Sequence, residues 1–206
     1  MAQQTIQQRR DRESRTDRAP ASWRRFATRP RSPMTGLTMY GPWSTLKPYA
    51  LKLLKHDHRV IRPMLKELEH AKLGGERGRR LARVEGEFAV HSRILHEVVY
   101  PAYRSVCKTA KHRAVYHELV EQHRACELLL ADLQKCATES ARFAGCAKAL
   151  RLNVLDLFGE TQHRLFHYAR KLLGRANLKA LGRSMQDHRR AILRNPAMTP
   201  LSSVGR

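Results

Sequence analysis

Three histidines occupy positions in this sequence where a side chain could do chemistry inside a protein core. His58, His91 and His123 are polar members of three otherwise apolar series, whose residues recur every three or four positions. An imidazole nitrogen binds transition metals and exchanges protons near neutral pH. Three neutral imidazoles buried together need partners, and a metal ion is the simplest partner that they can share. We therefore predict a metal site at these histidines, with hydrogen-bonded core histidines as the alternative.

The elements that must position these histidines are helices. Apolar residues recur at helical spacing in four segments, over residues 54–68, 81–102, 116–133 and 150–172. Gly74-Gly75 and Gly174 are helix-end signals after the first and fourth segments, and no strand pattern of any length occurs. The pattern predicts an all-α protein, an up-down-up-down four-helix bundle. A fifth amphipathic piece over residues 178–192 is predicted to pack outside the bundle or to extend it.

The three histidines each lie near the middle of their predicted helix. Because the midpoints of antiparallel neighbours lie at the same height in a bundle, the imidazoles should converge on one layer of the core. His56, His163 and His167 fall outside the apolar series and are expected to face outward. The short E-x-x-H strings that start at Glu67 and Glu160 also fall off the series, so we interpret them as surface features.

The net charge of +22 is spread over the whole chain. Residues 1–46 carry +6, residues 47–175 carry +11 and residues 176–206 carry +5. Residues 1–42 are rich in arginine and poor in aliphatic side chains, which predicts a disordered basic arm. Residues 43–175 would form the bundle, and residues 176–206 an amphipathic C-terminal helix and tail. The arm is predicted to make weak contacts with nucleic acid or an anionic surface, with a solvated tail as the alternative.

Other features limit the class of protein. The sequence lacks an apolar run long enough to span a membrane, and MAQQTIQQRR lacks the apolar segment of a secretory signal. The four cysteines form no C-x-x-C pair, so we expect reduced thiols in a cytoplasmic protein. Neither a Walker nor a Rossmann motif nor a Ser-His-Asp pattern occurs, so we do not expect an enzyme. Cys126 lies three residues from His123 and is interpreted as a buried thiol, with a soft-metal ligand as the alternative.

The same segments resemble a known family, the hemerythrin-like or HHE cation-binding domain. The strings that carry the resemblance are LLKHDHRVIRPMLKELE, HSRILHEVVYPAY, EQHRACELLLADL and LFHYARKLL, and the resemblance covers about residues 44–175. Their markers are Asp57-His58 in the first string and His91 nine residues before Tyr100-Pro101 in the second. The resemblance implies a four-helix bundle around a non-haem di-iron centre. In the family, histidines and two carboxylates hold this centre, and the carboxylates belong to H-x-x-x-E pairs on the second and fourth helices.

Carried over position by position, the resemblance implies a degenerate centre. His58, His91 and His123 match ligand positions. The other expected positions hold residues that cannot supply the family's carboxylates or its further histidine: Leu95, Leu119, Leu157 and Thr161. Four nearby carboxylates could replace them only if a helix rotated, and we interpret them as solvated flanking groups: Asp57, Glu87, Glu127 and Glu160. The expected cofactor is therefore one iron or none, rather than a di-iron pair, with zinc as an alternative ion.

Two functions follow from these observations. The first is a metal-binding protein that handles or senses iron, dioxygen or a redox signal at about three histidine ligands. The second is a metal-free bundle that serves as a binding or regulatory module for nucleic acid or another acidic partner. Metal content distinguishes the two.

Overall fold

The structure is a computed structural model that describes Trp43 and residues 46–194. The predicted basic arm and the end of the C-terminal tail lie outside these residues. Six α-helices and two π turns form the described part of the chain. The helices are α1 (Ala50–Glu69), α2 (Gly75–Ile94), α3 (Tyr100–Ser105), α4 (Ala110–Gln134), α5 (Ala141–Glu160) and α6 (Phe166–Arg194). The π turns are Leu95–Val99, between α2 and α3, and Thr161–Leu165, between α5 and α6.

These elements form a four-helix bundle, as the apolar periodicity predicts. Helix α1 is the first rod, α2 to α3 the second, α4 the third, and α5 with the start of α6 the fourth. Short connections over residues 70–74, 106–109 and 135–140 join the rods, which therefore run antiparallel to their chain neighbours. Their apolar faces meet in one continuous core. No strand occurs among the described residues, so the all-α class is confirmed.

Two helix starts are stabilised by side chains in their connections. The Thr109 hydroxyl accepts a hydrogen bond from the backbone N–H of His112, and the Ser140 hydroxyl accepts one from Phe143. Each cap is worth about 1 kcal/mol, because it satisfies a donor that the helix cannot. These caps define where α4 and α5 begin and hence the register of the residues that they carry.

Gly174 turns the chain back onto the bundle. Its φ of 72° and ψ of 173° are non-helical and divide α6 into a bundle part and a C-terminal part. The C-terminal part packs against α1, where Gly182 lies so close that an added Cβ would be 2.6 Å from the carbonyl carbon of Pro48. Leu178, Met185 and Ile192 of the predicted amphipathic piece are buried. The piece thus packs on the bundle instead of extending it.

Within the described ranges, no helix is both long and apolar enough to cross a membrane.

Candidate metal centre

The three histidines predicted from the sequence lie together in the core. His58 belongs to α1, His91 to α2 and His123 to α4, and all three are buried. The ring centroids of His58 and His91 are 5.2 Å apart, and those of His91 and His123 are 5.9 Å apart. Because each histidine lies near the middle of its helix and the helices are antiparallel, the three imidazoles lie in one layer of the core.

A fourth imidazole, which the sequence analysis missed, adjoins this layer. His96 lies in the π turn Leu95–Val99, and its ring centroid is 5.2 Å from that of His123. In a π turn the hydrogen bonds run between residues five apart, so a residue five positions after His91 turns toward the same interior. The available signal was Pro101, which cannot donate a backbone hydrogen bond and so interrupts the helical ladder just after the turn.

The carboxylate of Glu127 completes a group of three donors with His96 and His123. One ligand atom from each of the three residues lies within 4.8 Å of the others. Oε1 of Glu127 is 3.4 Å from Nε2 of His96 and 3.7 Å from Nε2 of His123. Both carboxylate oxygens are buried, and neither makes a hydrogen bond of normal geometry with a described residue. Two imidazoles and one carboxylate are a donor set that non-haem iron uses.

His123 is oriented by two neighbouring hydroxyl groups. The Ser92 hydroxyl lies 2.6 Å from Nε2 and the Tyr100 hydroxyl 3.4 Å from Nδ1. Burial raises the pKa of Tyr100 well above its usual range, and the nearby Glu127 raises it further. The phenol therefore keeps its proton at neutral pH.

His91 is oriented by a carboxylate behind it. Oδ2 of Asp57 lies 3.1 Å from Nδ1 of His91, and Oδ1 accepts a 2.7 Å hydrogen bond from the indole N–H of Trp43. A carboxylate at Nδ1 holds a proton there and leaves the lone pair on Nε2. Nε2 of His91 is buried without a hydrogen bond from the described residues. Metal-binding histidines usually have such a carboxylate on their other ring nitrogen, which fixes the orientation of the ring.

His58 is enclosed by aromatic and amide groups from the fourth rod. Its ring stacks on Phe158 with centroids 3.9 Å apart and planes 7° apart. The Gln162 amide, in the second π turn, lies 2.9 Å from Nδ1 of His58. In this orientation the amide nitrogen donates to Nδ1, which leaves the ring proton on Nε2. With the amide turned over, Nδ1 would carry the proton and Nε2 the lone pair.

Burial keeps two of these histidines in the form that binds metals. Burial, followed by the charge of neighbouring groups, lowers the pKa of His58 and of His123 well below the usual range. The neutral imidazole, with its free lone pair, is the metal-ligating form. Burial also raises the pKa of Glu127, an effect that His96 partly offsets. The pKa of the buried Cys126 thiol rises to about 12, so this thiol stays protonated.

The interpretation of the nearby carboxylates as solvated groups was wrong for three of them. Asp57, Glu87 and Glu127 are only 3%, 4% and 2% exposed. Asp57 and Glu87 are covered by Arg189 of α6, whose Nη2 lies 3.1 Å from Oε2 of Glu87 and whose Nη1 lies 3.7 Å from Oδ1 of Asp57. Glu160 is partly exposed and pairs with Arg164, which agrees with the interpretation as a flanking group.

The remaining family positions are filled by core residues. The side chains at these positions are all buried: Leu95, Leu119, Leu157 and Thr161. They are packed into the core at these positions. His163 and His167 are exposed, as the periodicity predicted.

Fold and site together define a class of protein: a four-helix bundle whose core holds several histidines and a carboxylate suited to a transition-metal ion. Residues 49–190 match the profile of the family described as "Hemerythrin HHE cation binding domain". The chain belongs to this family, and the resemblance noted in its sequence is confirmed. Comparison with curated proteins and with solved structures finds no match.

Proposed function

We propose that this protein binds a single non-haem iron ion through His96, His123 and Glu127. The observation that carries the proposal is the approach of these three donors to within 4.8 Å of one another, with His123 and Glu127 buried and His96 half-buried. A carboxylate taken out of water without compensating hydrogen bonds is unfavourable, and a cation beside it removes that penalty. The buried oxygens of Glu127 therefore support a bound cation.

The donor set suits iron. A set of two histidines and one carboxylate leaves coordination positions open, which suits Fe(II). Zinc is the alternative ion, because two histidines and one glutamate also hold the metal in catalytic zinc sites. A bound iron would supply exchangeable positions and a one-electron redox couple. On this basis we infer that the protein senses or handles iron, dioxygen or a redox signal.

The chain's own residues prepare the site for a cation. Burial keeps His123 neutral, and the Tyr100 hydroxyl at Nδ1 restricts the rotation of its ring. The Ser92 hydroxyl lies 2.6 Å from Nε2, the nitrogen that faces Glu127, so a bound cation would displace this contact. Asp57 restricts His91 in the same way. Buried apolar groups, among them Phe88 with its ring 5.3 Å from that of His123, limit the access of water. A preorganised, dry layer of this kind strengthens the attraction between a cation and its ligands.

The set predicted from the sequence, His58, His91 and His123, shares one residue with this group. The ring centroid of His91 lies 5.9 Å from that of His123, and that of His58 lies 5.2 Å from that of His91. Nε2 of each of these two histidines is buried and without a hydrogen bond from the described residues. We propose that these two histidines supply further nitrogen donors or line the site.

Anaerobic reconstitution with Fe(II), with Zn(II) in a parallel sample, tests the proposal. We expect about one iron per chain after desalting, measured by elemental analysis. His96→Ala, His123→Ala and Glu127→Gln should each weaken iron binding by at least tenfold. A wild-type protein that retains no iron would contradict the proposal.

Matched variants separate the two ligand sets. His163→Ala and Glu121→Gln remove an exposed histidine and an exposed carboxylate and should leave the iron content unchanged. His58→Ala and His91→Ala test whether the other two predicted histidines contribute to iron binding. Loss of iron in these two variants, with retention in His96→Ala and Glu127→Gln, would place the ion at the three histidines instead.

A further inference from the structure

Two of the four cysteines lie side by side at one end of the bundle, away from the metal centre. Cys136 lies two residues after the end of α4, and Cys146 lies in the second turn of α5. Their sulfur atoms are 3.9 Å apart, and both side chains are half-buried. Both are free thiols. The function proposed above does not use them.

The connection between these helices holds the two thiols in place. Arg77 of α2 donates hydrogen bonds to the carbonyl oxygens of Thr138, at 2.8 Å, and Ser140, at 3.1 Å. The Ser140 side chain caps α5, and the Cys136 thiol donates to the carbonyl of Asp132 at 3.4 Å. Residues 137–145 therefore form a short, anchored path between the two sulfur atoms.

We propose that Cys136 and Cys146 form a reversible disulfide when the protein meets a hydroperoxide oxidant. Bond formation needs the sulfur atoms to move from 3.9 Å to about 2 Å, a distance that side-chain rotation can cover. Because the connection is short and anchored, the second thiol stays next to the first thiol after the first has been oxidised. Burial and the neighbouring Cys146 thiol raise the pKa of Cys136, which disfavours its thiolate as the first nucleophile.

The reaction takes place in two steps that balance. The thiolate of one cysteine attacks an oxygen of hydrogen peroxide, an S–O bond forms, the O–O bond breaks and one water leaves after proton transfer. The thiolate of the other cysteine then attacks the sulfenic sulfur, an S–S bond forms, the S–O bond breaks and a second water leaves. Two thiols lose two electrons and two protons, and the peroxide takes them up.

The other two cysteines serve as internal controls. Cys126 is buried within α4, and Cys107 is half-buried at the end of α3, where its thiol donates to the carbonyl of Tyr103 at 3.3 Å. Cys107 is thus comparable in exposure to the pair but has a backbone acceptor in place of a thiol neighbour.

Peptide mapping of the full-length protein tests the proposal. The protein is treated with chelator, exposed to hydrogen peroxide, alkylated and digested with trypsin. Cleavage after Lys135, Arg142 and Lys148 places Cys136 in the peptide CATESAR and Cys146 in FAGCAK. We expect these peptides to be linked, the link to disappear after reduction, and the thiol count in denaturant to fall from four to two.

Variants and alternative products complete the test. Cys107→Ser should leave the linked peptide unchanged, whereas Cys136→Ser and Cys146→Ser should abolish it. Sulfinic acid at either cysteine without the linked peptide, or disulfides between chains, would overturn the proposal. Unchanged alkylation of both peptides after treatment would also overturn it. The wild-type map decides the question by itself if a variant fails to fold.

This inference is independent of the metal centre. Cys136 lies 13 residues after His123, which corresponds to about 20 Å along a helix at 1.5 Å per residue. Oxidation of the pair should therefore leave the iron content of reconstituted protein unchanged.

Discussion

Glu127 is a carboxylate in surroundings that disfavour its charge. It is buried beside two imidazoles, and its oxygens lack hydrogen bonds of normal geometry within the described residues. Desolvating a buried carboxylate whose hydrogen bonding is incomplete costs about 1–3 kcal/mol, and an amide of the same shape lowers this cost because it carries no charge. We therefore expect that replacing Glu127 by a neutral side chain stabilises the metal-free protein.

The first prediction follows from this conflict between folding and binding. Glu127→Gln should raise the free energy of unfolding of the metal-free protein by about 1–3 kcal/mol, while it weakens iron binding. Urea unfolding in the presence of chelator measures the first effect. Glu121→Gln, at an exposed position of α4, should change stability by less than about 0.5 kcal/mol. A large loss of stability in Glu127→Gln would assign this carboxylate a structural role.

The second prediction concerns pH. Because burial lowers the pKa of His58 and His123, these groups stay neutral in the folded state and take up protons on unfolding below about pH 6.5. The unfolded state then binds more protons, so the stability of the metal-free protein should fall as the pH drops below that value. The slope is about 1.4 kcal/mol per pH unit for each histidine.

The pH dependence of stability is best measured in the Glu127→Gln variant. The raised pKa of Glu127 acts in the opposite direction, because the folded state takes up a proton before the unfolded state does. Urea unfolding between pH 7.5 and 5 gives the dependence. His58→Gln should reduce the slope and His163→Ala should not. A stability that is flat across this range would contradict the assignment of the two histidines as neutral.

At the scale of elements, the C-terminal part of α6 covers the carboxylate that contacts His91 in the candidate metal centre. Arg189 is buried between Asp57 and Glu87, and its guanidinium carbon lies 4.9 Å from the centre of the Trp43 ring. Gln186 donates hydrogen bonds to the backbone carbonyls of Trp43, at 2.7 Å, and Leu46, at 3.0 Å. The segment after Gly174 therefore closes the layer in which Asp57 orients His91.

The third prediction removes this buried cation. Arg189→Met leaves two buried carboxylates without their partner and should lower the free energy of unfolding by about 3–5 kcal/mol. Arg190→Met, on the exposed face, should have an effect below about 0.5 kcal/mol. Thermal and urea unfolding give both values. Equal stabilities of the two variants would show that Asp57 and Glu87 do not need the arginine.

The fourth prediction concerns the close packing of Gly182 against α1. A Cβ at this position would lie 2.6 to 2.9 Å from backbone atoms of Pro48, Tyr49 and Ala50, which cannot move away without shifting the helix start. Gly182→Ala should therefore destabilise the protein by about 1–3 kcal/mol. Gly78→Ala is the matched control, because nothing lies within 4 Å of its added Cβ. In a helix interior this change should stabilise by about 0.5–1 kcal/mol.

At the scale of the whole molecule, the positive charge is a general property of the chain. The bundle region and both flanking regions carry it. Its sign favours anionic partners through long-range attraction that salt screens. The prediction of nucleic-acid contact through the basic arm concerns residues outside the described part of the chain.

The fifth prediction tests that arm. Deletion of residues 1–42 should weaken the retention of the protein on immobilised DNA and RNA and reduce its dependence on salt concentration. The iron content of the reconstituted protein should remain the same, because the candidate ligands lie in the bundle. Equal retention of the two proteins at every salt concentration would exclude a role for the arm in such contacts.

Much of the fold and part of the site could be predicted from the sequence. Apolar spacing of three and four residues identifies the buried face of each helix, and short connections favour antiparallel neighbours. The same spacing was enough to place His58, His91 and His123 in the core, and their motifs led to the correct family. These features are local, since a helix repeats its geometry along its own axis.

The rest depended on contacts between residues distant in sequence or on a local change of helix type. The burial of Asp57 and Glu87 was decided by Arg189, more than 100 residues further along the chain. His96 turned inward because a π turn changes the spacing that regular helical periodicity assumes. By itself the sequence determined the helices, their inner faces and the family. Only the tertiary structure decided which carboxylate joins the histidines and which thiols meet, because periodicity describes one helix and not what packs against it.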